Sequence, residues 1–192
     1  MPETPKPNTQ APPAGISGGR GFLVFKAVIY AVLILDVGLL YAYGTWREVT
    51  EQTGWLLILA AFEWESQGLG TRPDGGKHRA QRALEIAGYL LAVFCWAAYA
   101  EAREWQNFAN ATVWLLIAAA LAHDLHSPPA ASGPGWRTAF KAALYLAVTA
   151  IALSWGLDGA WLDFWDAMLW LTCFFVIELR VFDFAARARR AA

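Results

Sequence analysis

Long apolar stretches alternate with shorter ones along this chain, and a short polar segment separates the two members of each pair. The long stretches run from Phe22 to Gly44, from Ala83 to Ala100 and from Ala139 to Gly156. Each has roughly the 20 residues that a helix needs to cross a bilayer core of about 30 Å. Because these stretches are apolar on all sides, they are typical of membrane spans rather than of amphipathic surface helices.

A shorter apolar run follows each long one: Trp55 to Phe62, Thr112 to Ala122 and Met168 to Ile177. At about 8 to 11 residues, these runs alone are too short to span a bilayer. Extended outward through the polar residues that precede them, they reach the ~20 residues that a span requires. We therefore predict an all-α integral membrane protein with six transmembrane helices, arranged as three helical hairpins.

The three predicted hairpins align without a gap and share the pattern Tyr-x15-Trp-x8-Trp. Two further columns, acidic or amide in character, lie between the tryptophans. The five columns are Tyr30/Tyr89/Tyr145, Trp46/Trp105/Trp161, Glu48/Asn107/Asp163, Glu51/Asn110/Asp166 and Trp55/Trp114/Trp170. Such self-similarity indicates one supersecondary unit used three times. The hairpins are therefore predicted to be co-oriented repeats.

The repeat divides the chain into seven segments. These are a first tail (1–20), three hairpin repeats (21–67, 82–126 and 137–184), two loops between them (68–81 and 127–136) and a last, basic tail (185–192). The loops are rich in Gly and Pro, which is typical of linkers. The first tail is rich in proline and poor in apolar residues, so we expect it to be disordered. We also expect the first span to remain as an uncleaved anchor.

Basic residues are distributed unequally between the two ends of the predicted spans. Of the 15 Lys and Arg residues, only Arg47 and Arg103 lie at the end where the two helices of each hairpin are joined. Because basic loops resist translocation, we expect both termini in the cytoplasm and multi-pass insertion in a bacterial inner membrane. The expected partners are the lipid bilayer and other membrane subunits or further copies of the chain. A net charge of −1 gives no reason to expect nucleic-acid binding.

The sequence lacks the common catalytic motifs. It contains no G-x-S-x-G, no H-E-x-x-H and no Walker loop, and its predicted loops are too short for a soluble catalytic domain. Cys95 and Cys173 fall within spans at unrelated repeat positions, so they predict neither a disulfide nor a metal site. We therefore expect no enzymatic activity and no cofactor.

The aromatic columns allow two interpretations. The tyrosine and first tryptophan columns lie about 24 Å apart along a helix, which places them at opposite headgroup regions. The predicted interfacial anchors are Tyr30, Tyr89, Tyr145, Trp46, Trp105 and Trp161. The second tryptophan column, Trp55, Trp114 and Trp170, lies deeper, and we interpret it either as packing between repeats or as a ligand cage.

Glu48, Asn107 and Asp163 begin the second helix of each hairpin. Acidic and amide side chains cap free N–H groups there and interact favourably with the helix dipole, so we predict helix caps. The second acidic or amide column follows three residues later on the same helix face. An alternative is that both columns ring an outer vestibule and concentrate cations.

Acids also lie at the opposite ends of these helices, where the dipole disfavours them. Glu63, Asp124 and Glu178 are near the predicted cytoplasmic ends of the second, fourth and sixth spans. They could converge on a proton or cation site, or they could form ion pairs with nearby basic residues. His123 and His126 are one helical turn apart and are candidate metal ligands.

Asp36 is the one acid near the middle of a long apolar stretch. An ionisable group at that depth costs several kcal/mol unless it is paired or faces a cavity, so Asp36 is a candidate functional residue. It is not part of the repeat, because Cys95 and Ile151 hold the matching positions. Protonation, or hydrogen bonding to Thr149 or Ser154, are the structural alternatives.

Three functional hypotheses follow. The leading one is a non-enzymatic structural or accessory membrane subunit that packs through aromatic-rich helix faces. The second is a proton or cation pathway that uses Asp36 and the acids Glu63, Asp124 and Glu178. The third is a small-ligand or metal sensor, based on the tryptophans and on the cluster of His123, Asp124 and His126.

Overall fold

The computed structural model describes residues 20–67, 75–126 and 135–175, with side chains for 24–64, 78–124 and 135–175. All regular secondary structure in these ranges is α-helix, which confirms the all-α prediction. The predictions for residues 1–19, 68–74 and 127–134, for Glu178 and for the last tail lie outside the described residues.

The described residues form six helices, which follow one another in sequence. They are α1 (Arg20–Tyr43), α2 (Trp46–Gln67), α3 (Gly75–Ala102), α4 (Trp105–His126), α5 (Trp136–Asp158) and α6, described over 161–175. The first turns of α3 lie within 68–81, the segment predicted as a loop. Lys77, Arg79 and Gln81 there are good helix formers and extend α3 beyond its apolar stretch.

Three of the described helices, α1, α3 and α5, are long and apolar enough to cross a membrane. The qualifying segments are Val24–Tyr43, His78–Ala102 and Trp136–Asp158, and they coincide with the three long apolar stretches of the sequence. Large side chains on these helices face outward, including Ile34, which is 64% exposed, and Leu146, which is 70% exposed. Such outward-facing apolar surfaces are suited to contact with lipid tails.

Two-residue connections at 44–45, 103–104 and 159–160 join α1 to α2, α3 to α4 and α5 to α6. They lie at one end of the bundle, which we call the turn end. Arg47 at the start of α2 forms an ion pair with Glu104, the last residue before α4. Gln52 of α2 in turn donates a hydrogen bond to Asp166 of α6. Arg103 and Gly159, at matching places in two of the connections, have left-handed φ angles of 60° and 82°.

The closest helix–helix approach described is between α2 and α3. A Cβ atom added to Gly88 would lie 2.6 Å from the Gly54 carbonyl oxygen and 2.6 Å from Cγ1 of Ile58. Paired glycines let two helix backbones approach more closely than larger residues allow. This contact joins the first predicted hairpin to the second.

Helices α2, α4 and α6 meet at an aromatic cluster in the middle of the bundle. Phe174 of α6 lies among the three deep tryptophans, with ring centroids 6.0 Å from Trp55, 4.9 Å from Trp114 and 6.1 Å from Trp170. All four side chains are buried. Aromatic pairs at these separations contribute about 0.5–1.5 kcal/mol beyond the area they bury, so the cluster holds the three helices together.

Candidate acid–aromatic site

A small cavity of about 30 Å³ lies between the aromatic cluster and the turn end; we call it the acid–aromatic cavity. Its walls include every member of three sequence columns: Glu48/Asn107/Asp163, Glu51/Asn110/Asp166 and Trp55/Trp114/Trp170. Gln52 and Phe174 also contribute. The polar columns form the upper wall, and the tryptophans form the floor. Such a volume holds about one water molecule or a small ion rather than a larger ligand.

A further set of lining residues comes from the other three helices. Leu40 of α1, Tyr99 of α3 and Trp155 of α5 line the cavity and recur at the spacing of the other columns. This column was not evident from the sequence, because its members differ in chemistry. The constant spacing was the signal that could have found it.

Both carboxylate oxygens of Glu51, which lines the cavity, accept hydrogen bonds. Its Oε2 accepts a hydrogen bond of 2.8 Å from the Tyr99 hydroxyl, and its Oε1 accepts one of 3.4 Å from Trp55 Nε1. Glu51 and Tyr99 are both buried. This network links α2 to α3 and offsets much of the cost of burying a carboxyl group.

Asp36 and Asp166 form the unusual pair of the site. Asp36 on α1 is 2% exposed, and its carboxyl group faces that of Asp166 on α6. Neither oxygen of Asp36, nor Oδ1 of Asp166, has a hydrogen-bond donor among the described residues. The alternative in which Thr149 or Ser154 donates a hydrogen bond to Asp36 is wrong. Those hydroxyls instead donate to the carbonyl oxygens of Tyr145 and Ile151 on their own helix.

No Lys or Arg is among the described residues that line the cavity. Among the described residues, the basic residue nearest in sequence to a lining residue is Arg47, which precedes Glu48 and forms an ion pair with Glu104 at the turn end. The acid–aromatic cavity therefore has several carboxyl groups and no side-chain cation in its wall. Two carboxyl groups in contact favour a bound proton or cation between them.

The acids at the opposite end of the bundle have cationic partners. Glu63 accepts hydrogen bonds from Lys26 and, at 3.0 Å, from the Tyr30 hydroxyl. Asp124 lies 2.9 Å from Lys141 Nζ and 3.8 Å from Arg137 Nη1. No described contact joins Asp36 to Glu63 or Asp124; on α1, the Glu63 partners Tyr30 and Lys26 lie six and ten residues from Asp36, about 9 and 15 Å along the helix axis.

Only one of the two candidate metal ligands has a described side chain. His123 is exposed, and the His126 side chain lies outside the described residues. Among the described residues, no group of three His, Cys, Asp or Glu side chains is placed to hold a metal ion.

The predicted caps and anchors occupy varied environments. Glu48 accepts a 2.6 Å hydrogen bond from the Thr45 N–H, and Thr45 Oγ1 lies 3.4 Å from the Glu48 nitrogen, the reciprocal arrangement of a capping box. Asn107 instead donates to Glu104 at 3.3 Å, and Asp163 lines the cavity. The first tryptophans, Trp46, Trp105 and Trp161, are exposed, whereas the three column tyrosines are partly buried against the core.

Comparisons with protein-family models, curated proteins and solved structures found nothing that matches this chain. The chemistry of the acid–aromatic cavity is therefore the basis for a function. That chemistry consists of a buried carboxyl pair, an amide that contacts one of its members, and an aromatic floor.

Proposed function

We propose that this chain is a non-enzymatic membrane protein that reversibly binds a small cation, either a proton or a monovalent metal ion, in the acid–aromatic cavity. The observation that carries the proposal is that Asp166 of the cavity wall interacts with Asp36, which is buried behind that wall, while both oxygens of Asp36 and Oδ1 of Asp166 lack a described hydrogen-bond donor. The proposed function combines the accessory-subunit hypothesis with the cation hypothesis. The proposed cation site lies toward the turn end rather than at the acids of the cytoplasmic side.

The physical argument rests on charge. Two ionised carboxylates in contact repel each other strongly where the dielectric constant is low. One proton or one cation shared between them removes most of that repulsion. Glu63 and Asp124 need no such ligand, because lysine side chains already neutralise them.

The direction of access follows from a topological proposal. We propose six spans in three co-oriented hairpins, inserted in a bacterial inner membrane with the turn end facing the periplasm and both termini in the cytoplasm. The excess of basic residues at the opposite end supports this orientation. The exposed tryptophans at the turn end also suit a membrane interface. The cavity lies toward the turn end, so the cation enters from the periplasmic side.

The same geometry favours binding over conduction. Below the cavity, the aromatic cluster is followed by buried Leu59, Ile117 and Leu121. Close-packed apolar side chains leave a hydrated ion no polar partners. The protein would therefore respond to periplasmic cations as a sensor or as an accessory subunit of a larger membrane complex.

Tryptophan fluorescence of the purified protein in nanodiscs tests the proposal, because three indoles form the cavity floor. The emission would be recorded across a pH titration and with NaCl, KCl or choline chloride. We expect a reversible response to pH or to Na⁺ and K⁺ that Asp36→Asn abolishes. Asp158→Asn, an exposed acid of the turn end, should respond as the wild type does. An equal response in wild type and Asp36→Asn, or no response in the wild type, would contradict the proposal.

A further inference from the structure

We infer that Gln52 makes the acid–aromatic cavity specific for a proton and excludes metal cations. The inference rests on the proposed function and identifies the cation. It assigns Gln52 as a positioning residue, since its amide acts through Asp166 rather than on the cation itself.

The orientation of the Gln52 amide is fixed by its neighbours. Gln52 is 7% exposed, and its Oε1 lies 2.5 Å from Nε1 of Trp170. An indole N–H can only donate, so the atom facing Trp170 must be the amide oxygen. The amide nitrogen consequently points the other way, and it donates to Oδ2 of Asp166.

This orientation presents the wrong atoms to a metal ion. A metal cation requires several oxygen ligands around it, yet Gln52 turns its oxygen toward the indole and its N–H hydrogens toward the acid pair. Oδ2 of Asp166 is already engaged, which leaves Oδ1 of Asp166, the two oxygens of Asp36 and Oδ1 of Asn110 without a described donor. A shared proton needs only two of these oxygens.

Gln52 is present in only one of the three repeats. The matching positions are Ala111 and Ala167, both buried at 1% exposure. A methyl group there cannot reach a neighbouring helix, whereas the longer glutamine spans from α2 to α6. Gln52 therefore breaks the three-fold similarity of the cavity and engages Asp166 alone among Glu51, Asn110 and Asp166.

The Gln52→Glu variant tests this role, because it replaces the N–H donor with a third carboxyl group beside Asp36 and Asp166. Gln106→Glu is the matched control: Gln106 also lies at the turn end, but it bonds Ser154 at 2.8 Å and is not part of the cavity wall. Equilibrium binding of radioactive Na⁺ and tryptophan fluorescence in nanodiscs would be measured for each protein.

We expect the wild type and Gln106→Glu to respond to pH but not to bind Na⁺. Gln52→Glu should bind Na⁺ measurably, at least about tenfold above the detection limit that the wild type does not reach, since a close added charge is worth about that factor. A folded Gln52→Glu protein with no gain in Na⁺ binding would overturn the inference.

The wild type alone keeps the test decisive if Gln52→Glu does not fold. A wild-type response to Na⁺ as large as its response to pH would overturn the proton assignment while leaving the proposed function intact. A pH response that saturating NaCl does not alter supports it. No response to either pH or Na⁺ would instead refute the proposed function itself.

Discussion

Asp36 and Asp124 are both buried carboxyl groups, but they have different partners. Asp124 lies against Lys141 and Arg137, whereas Asp36 lies against another acid. Both residues stood out in the sequence, Asp36 for its depth in an apolar stretch and Asp124 for its place at the helix end where the dipole disfavours an acid. The sequence could not distinguish them, because their partners come from α5 and α6 and depend on how the helices pack. The sequence of one helix can therefore show that an acidic residue is buried, but it cannot show which residue of another helix lies against it.

The Asp124–Lys141 pair gives a prediction at the residue scale. Lys141→Met should destabilise the protein by about 3 kcal/mol or more, because it leaves a buried carboxylate without its closest cation. Equilibrium unfolding in detergent would measure the change. The double variant Lys141→Met with Asp124→Asn should recover most of the loss. A double variant no more stable than Lys141→Met alone would show that the ion pair is not the cause.

At the scale of the helices, the sequence predicted much of the fold. The three long apolar stretches became α1, α3 and α5, and the polar-capped shorter runs became α2, α4 and the start of α6. The order of packing was not predictable, because the close contact of Gly54 with Gly88 joins α2 to α3, which belong to different predicted hairpins. Gly54 and Gly88 each appear ordinary in an apolar sequence. Their significance depends on facing one another.

Gly88→Ala tests the α2–α3 contact. The added methyl group would lie 2.6 Å from the Gly54 carbonyl oxygen, so the helices must separate. We expect a loss of about 1–3 kcal/mol in the free energy of unfolding, typical of overpacking. Gly38→Ala is the control, because nothing lies within 4 Å of a Cβ atom there. Equal stability of the two variants would contradict the close contact.

The connections between helices give a second prediction at this scale. Gly159 has a φ of 82°, which disfavours any side chain, so Gly159→Ala should cost about 1 kcal/mol. Arg103 has a φ of 60° at the matching position, so Arg103→Gly should instead stabilise by a similar amount. Thermal unfolding of both variants in the same detergent provides the comparison. A shift of the same sign in both would argue against left-handed strain at these sites.

For the whole molecule, three of the five sequence columns converge on one cavity, and buried apolar side chains lie below them. The columns themselves were visible in the sequence. Their convergence, and the roles of Gln52, Tyr99 and Phe174, required the arrangement of all six helices. Those three residues depart from the matching residues of the other repeats, so column analysis alone passed over them.

These buried apolar side chains predict that the protein alone is not a channel. Liposomes containing the wild type should show no proton or monovalent-cation flux above that of empty liposomes. Replacing Phe174 with alanine removes the side chain that all three deep tryptophans contact. This variant should be the first to leak, as measured with a pH-sensitive dye. Substantial flux through the wild type would contradict a cation site that is accessible only from the turn end.

Infrared difference spectroscopy tests the central claim most directly, because it detects a protonated carboxyl group by its C=O stretch. At neutral pH, the wild type should show a protonated-carboxyl band that disappears in Asp36→Asn. The band should persist in Glu101→Gln, whose carboxyl group is exposed near the turn end. A neutral-pH spectrum of the wild type without such a band, or one that Asp36→Asn leaves unchanged, would contradict a proton held between Asp36 and Asp166.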